Sequence, residues 1–334
     1  MTELTANSSA TSAPVSRPNG ESPRSSEHQE EDKISNPDDW GHQALIARPK
    51  IRLHAQELRH PASSSFFVLI PDLASVLDEA LNNIVQSLYT SPKWPSPDRS
   101  MKSLYKDGPR FRPSMPPTRS VTVFLRDFGG VAYTRGIELD DDHKEIHLSL
   151  PYIQHCTSSK NSSPVHELHG VLTHELVHCY QHTTPPFAGD GGRKIPGPPG
   201  GLIEGIADFV RLKAGLAPPH WKKPQSAGER ADKWDAGYEK TGYFLAWIED
   251  VWAGRGAVGM VNDRLLRVGY LGEGEDDGDD KEEAQPGFWE SLFGIGVADL
   301  WEEYGKWLDA GEDGSRDHEK ARGNWEDEVV NPEA

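Results

Sequence analysis

Two histidines four residues apart flank a glutamate in GVLTHELVHCYQH, residues 170–182, giving His174-Glu175-Leu176-Val177-His178. On a helix, residues four apart differ by about 40° around the axis and about 6 Å along it, so both imidazoles leave one face and reach one metal ion. Neutral imidazole suits zinc (Zn2+). Glu175 falls beside that metal rather than on it, where its carboxylate can take a proton from a metal-activated water.

A catalytic zinc takes three protein ligands and keeps one position open. GLIEGIADF, residues 201–209, offers Glu204 as the third ligand. Asp208, one helical turn on and on the same face, can accept the free N–H of a metal-bound histidine and fix its ring. Other third ligands fit worse. The pattern HExxHxxGxxH needs Gly at 181 and His at 184, where this chain has Gln181 and Thr184. His182 lies about 12 Å along the axis from His174, too far to share its metal. His166 and His169 are expected to hydrogen-bond near the helix start. An HExxH followed by E-x-x-x-D resembles the gluzincin peptidases, of which thermolysin is the familiar case. That resemblance implies a zinc peptidase acting on peptide or protein substrates. A developing oxyanion also needs a donor; Tyr238 in WDAGY is the first candidate, with His220 and Tyr243 behind it, against the competing reading of Tyr238 as a packed core aromatic.

The elements that must position these groups follow from periodicity. A helix is expected over about 164–182, opening at Pro164, and a second over about 202–214. The long loop TTPPFAGDGGRKIPGPPGG at 183–201 lets the chain reverse between them. Upstream, IRLHAQEL at 51–58, SVTVFLRDF at 120–128, VAYTRG at 131–136 and EIHLSL at 145–150 alternate as strands do. VAYTRG is expected to pair with SVTVFLRDF through Gly129-Gly130, and EIHLSL to line the cleft and take an extended peptide by strand addition. A helix over 73–89 has Asp72 as its N-cap, and further helices are expected over 232–253, 257–267 and 296–309. The predicted fold is α+β, a small mixed or antiparallel sheet packed on the HExxH helix and a mostly helical C-terminal half.

Of 334 residues only 35% are hydrophobic, and the net charge is −18. Polar tails over 1–45 and 311–334 account for the dilution, leaving one domain at 46–310 interrupted by an acidic, solvated run at 272–286. No apolar run is long enough to span a membrane. The acidic balance disfavours nucleic acid, whose phosphates need clustered Lys and Arg. The opening residues hold no apolar signal segment, so a cytoplasmic place is expected, with secretion by a route without a signal as the alternative. A monomer is expected. Cys156 and Cys179 are too few for a disulfide framework and read as free thiols. The ten tryptophans fall mostly at helical positions and read as core.

HELVHCYQ, GGLIEGIADFVRLKAGLAPPHW and KWDAGYEKTGYFLAWIE together resemble the plant basic secretory protein family and its fungal relatives. The resemblance implies a zincin-like fold over about 50–310 and metallopeptidase activity. It carries the family's HExxH onto His174, Glu175 and His178, and its EGIAD onto Glu204 and Asp208. The rival reading is a zinc-stabilised interaction protein that keeps the fold without turnover.

Overall fold

The computed structural model describes residues 47–90, 111, 113–158, 163–185, 195–272 and 286–319. The expected tail over 1–45 lies outside the described residues, as do residues 320–334 of the tail expected over 311–334 and the acidic run apart from Gly272 and Pro286. The fold is α+β. Strands β1 (Lys50–Ala55), β2 (Ser120–Arg126), β3 (Ala132–Ile137) and β4 (Asp140–Ser149) form one mixed sheet in the order β1-β2-β4-β3. β1 and β4 run parallel to β2, while β3 is antiparallel to β4.

Two expectations about this sheet fail together. VAYTRG pairs with β4 and not with β2, and EIHLSL is therefore an inner strand with both edges hydrogen-bonded. An inner strand cannot accept another strand. The edge strands of this sheet are β1 and β3, and the edge beside β4 belongs to β3. Alternation made all four segments recognisable as strands, but pairing partners are set by tertiary contacts that alternation does not encode.

Val121, Val123, Leu125, Ile146 and Leu148 point to one face of the sheet and are fully buried. Each such side chain contributes roughly 1.5–3 kcal/mol relative to leaving it in water. Helices α1 (Pro61–Leu69), α2 (Leu73–Leu88), α3 (Leu150–Ser158) and α4 (Pro164–Tyr180) accompany the sheet. The Asp72 side chain caps α2 through Ser75 N–H, and the Ser163 side chain caps α4 ahead of Pro164. α4 touches β3 and β4 on one side and α2 on another, which explains why it is buried along nearly its whole length.

The C-terminal half holds α5 (Gly200–Lys213), α6 (Tyr238–Trp247), α7 (Ala257–Arg267), α8 (Phe288–Phe293) and α9 (Val297–Glu319), the last with non-helical backbone at Gly311. The helix expected over 232–253 begins only at Tyr238 and passes into a π-helical segment, Ile248–Ala253. β1 stops at Ala55, and α1, α3 and α8 went unforeseen because each is short. Phe244 contacts Trp234, Trp247, Trp301 and Tyr304, so these tryptophans do build a core. Both cysteines are buried and free. None of the described helices is long and apolar enough to cross a membrane.

The π-helical segment carries a buried acid. Glu249 accepts from Val258 N–H at 3.4 Å at the start of α7. Burial dominates its titration and, despite nearby Lys213, pushes the carboxyl up to about 7. The folded state then binds a proton that the unfolded state has released between about pH 4.5 and 7, so stability falls as pH rises through that window. Glu249→Gln is expected to flatten this dependence. Thermal melts should show the variant more stable than wild type at pH 8, by at most about 3 kcal/mol, and close to wild type at pH 5.

Candidate metal centre and active site

α4 and α5 face each other through a series of polar contacts. His174 Nδ1 lies 2.7 Å from Asp208 Oδ1, and His174 Nε2 lies 3.1 Å from Glu204 Oε2. His178 Nε2 lies 3.7 Å from the same Glu204 oxygen and 3.1 Å from His174 Nε2. One turn beyond Asp208, Arg211 pairs with Glu167 at 3.1 Å, and Tyr152 donates to that carboxylate at 2.7 Å. Beyond the helix end, His166 Nε2 meets Gly215 O at 3.0 Å. Rising numbers on α5 thus meet falling numbers on α4, and the helices are antiparallel. The close approach needs Gly170, where a Cβ would stand 2.4 Å from the Arg211 guanidinium.

The donor set fits a metal cation. His174, His178 and Glu204 each offer one ligand atom, all within 4.8 Å of one another. Asp208 accepts a hydrogen bond from Nδ1–H of His174, which leaves its Nε2 lone pair aimed at the cluster. On His178, Nδ1 faces the Gln181 amide at 2.9 Å, while Gln181 Oε1 is buried without a partner. Turning that amide over lets Oε1 accept from Nδ1–H, satisfies the orphan and directs the second Nε2 lone pair to the same point. Two lone pairs and a carboxylate oxygen then converge with no hydrogen among them, an arrangement that repels itself until a cation joins it. The same convergence attracts a proton. Burial opposes charge on His174, but its hydrogen bonds to Asp208 and Glu204 outweigh it and raise the imidazole to about 9. Burial likewise opposes charge on Glu204, yet both histidines hold its carboxyl far below the usual range.

These groups line a cleft of about 760 Å³. Glu175 is buried in its wall, its Oε2 2.6 Å from the Thr134 hydroxyl of β3. On the other side, the Tyr238 ring stacks 6.2 Å from the His174 ring. Tyr238 is 56% exposed, which overturns the core reading. Its φ of 49° is unusual for a side chain of this size, and Gly237 before it has φ 88°. A Cβ at Gly205 would strike the Thr241 side chain. The bare backbone there lets α6 close on α5 and brings Tyr238 to the rim. His220 lines the cleft too, whereas Tyr243 is buried and faces an adjoining cavity instead.

The model of one protein family, described as a peptidase of plants and bacteria, matches residues 48–304. The chain belongs to that family. Membership bears out the resemblance read from its three motif blocks and makes the protein a peptidase, with peptides or proteins as its substrates. No curated protein and no solved structure matches it.

All the sequence-chosen residues except Tyr243 border one cleft; Thr134, Gln181, Glu167 and Arg211 were missed. Three of these had a signal. Glu167 stands seven residues before His174 and Arg211 seven after Glu204, a spacing that keeps each on its helix's site face. Gln181 stands three after His178. Thr134 had none, because it arrives from another element. Arg211→Met strands the buried Glu167 carboxylate, and denaturant unfolding should show a loss of about 3–5 kcal/mol.

Proposed function

We propose that this peptidase is zinc-dependent, with His174, His178 and Glu204 holding the metal and Glu175 acting as general base. The observation that carries this is the meeting of two imidazole nitrogens and one carboxylate oxygen, with Asp208 and Gln181 turning the rings toward it. A zinc ion held there supplies Lewis-acid polarisation of the scissile carbonyl and acidifies water.

The protein's own groups then have separable tasks. Glu175 takes the proton of the attacking water and passes it to the leaving amine. The Thr134 hydroxyl donates to the Glu175 carboxylate and fixes the oxygen that does this work. Tyr238 offers its phenol to the oxyanion, and the Glu204 charge followed by partial burial raises its pKa, keeping it a protonated donor at neutral pH. The substrate lies along β3. Residues 131–134 border the cleft, and β3 is the sheet's free edge on that side, so its backbone groups can bond an extended peptide.

Metal analysis of purified wild type and Glu175→Gln should find about one zinc per chain, and His174→Ala should lose it. Asp208→Asn is expected to weaken zinc about 10–100-fold. Wild type should cleave a denatured protein mixture, and Glu175→Gln should cut its rate about 10²–10⁴-fold. A zinc-loaded wild type that is inert across a broad peptide panel would sink the catalytic reading and leave a zinc-stabilised interaction protein.

Thr134→Val tests the positioning role. Loss of a hydrogen bond to a charged group costs about 1.5–3 kcal/mol, so kcat should fall roughly 10–100-fold with KM little changed. Thr134→Ser, which keeps the hydroxyl, should restore kcat to near the wild-type value. A serine variant as slow as the valine variant would reduce Thr134 to packing.

A further inference from the structure

A second cavity of about 260 Å³ adjoins the cleft and shares His220 and Glu239 with it. Its charge is of the other sign. The cleft's lining includes five carboxylates, Glu167, Glu175, Glu204, Asp208 and Glu239, against the single guanidinium of Arg211. The side cavity is lined by Lys222, Arg230 and Lys240, with Glu229 and the shared Glu239. Glu229 is occupied by Gln225 N–H at 2.8 Å.

Lys222, Arg230 and Lys240 outnumber the two carboxylates of their own cavity. Among the described residues none of them pairs with a carboxylate. Arg230 is also held rigidly. It donates to the carbonyls of Trp301 and Ala227, and its guanidinium lies 4.5 Å from the Trp301 ring centre. It fills the space left by Gly305, where a Cβ would sit 2.6 Å from Cζ. A fixed guanidinium whose partners are neutral carbonyls keeps its full charge available to a ligand. Lys222 and Lys240 are exposed at the rim, and Tyr243, Trp301 and Tyr304 supply apolar walls. The volume suits a single side chain.

We propose that this cavity is a substrate subsite that seats one acidic side chain, Asp or Glu, of the peptide lying in the cleft. The proposal rests on the peptidase reading and deepens it by naming a sequence preference. An acidic residue is repelled by the carboxylates of the cleft and drawn across the His220–Glu239 wall to the three cations, so the pair of cavities sets where that residue must stand relative to the cut.

The test reads binding, apart from turnover. The zinc-loaded Glu175→Gln protein is titrated by calorimetry with end-capped, alanine-based octapeptides carrying one Glu at successive positions, each matched by its Gln counterpart. At one position Glu should bind about tenfold more tightly than Gln, the scale of one half-exposed ion pair. Adding Lys222→Glu and Lys240→Glu should abolish or invert that ratio, and Lys240→Gln alone, a milder change, should reduce it. Lys306→Glu, on the exposed side of α9, should leave it intact. Equal Glu and Gln affinities at every position, no measurable binding, or a preference that survives both lysine reversals overturn the subsite. Cleavage of the same peptides by wild type is read separately. Selective binding without any cleavage would sink the peptidase mechanism and spare the cavity, whereas cleavage with no acidic preference would do the reverse.

Discussion

The antiparallel pairing of α4 and α5 is the constraint on which the site depends. Three rungs hold it: Glu204 against both histidines, Asp208 against His174, and Arg211 against Glu167. Apolar burial alone tolerates sliding, because one leucine can replace another in a groove. Buried charges do not tolerate it, since a shift of one turn would leave a carboxylate or a guanidinium without its partner in a poorly solvating interior. Arg211–Glu167 touches no candidate metal ligand, yet it fixes the turn at which the other two rungs meet. Gly170 is part of the same device, because only a residue without a side chain leaves the guanidinium room.

Around that pair the fold adds one group from each side. β3 brings Thr134 to Glu175 from the sheet, and α6 brings Tyr238 to His174 from the helical half. The two deliveries differ in kind. Thr134 sits in a regular strand whose side-chain alternation aims it at α4. Tyr238 comes through a turn with two successive positive φ values, a conformation that costs free energy in a tyrosine and persists only where the surroundings enforce it. Gly205 provides the enforcement by letting the start of α6 press against α5. Hence the rim of the cleft depends on helix packing more than on any local propensity.

Much of this was legible because helical spacing is a local code. His174 and His178 fall four apart, and Glu204 and Asp208 fall four apart, so each pair shares a face before anything is known of the tertiary structure. Capping was legible for the same reason at Asp72 and before Pro164. What escaped was non-local. Nothing in VAYTRG says that it pairs outside β4 and not beside β2, and nothing marks Thr134 as the partner of Glu175. The side cavity draws its walls from three separate stretches, around 220–231, 239–243 and 301–304, and no window of sequence contains it. Tyr238 illustrates the middle case: its type suggested the task, and only the turn before α6 decided between the rim and the core.

Charge gives the site its remaining logic. Five carboxylates and one guanidinium around one cleft cannot all be stable without further positive charge. Glu167 has Arg211 and Tyr152, Glu175 has Thr134, and Glu239 is half-exposed to water, so their charges are met without the metal site. Glu204 and Asp208 are met only by imidazoles, which are neutral unless they take up a proton. The residual demand for a cation is therefore localised at His174, His178 and Glu204. A proton on His174 meets part of it, and a divalent ion, with twice the charge and no proton to be shared between nitrogens, meets more. On this account the polar residues buried along α4 are a stability debt that folding leaves open at one place only, and that place is where the cleft admits a substrate.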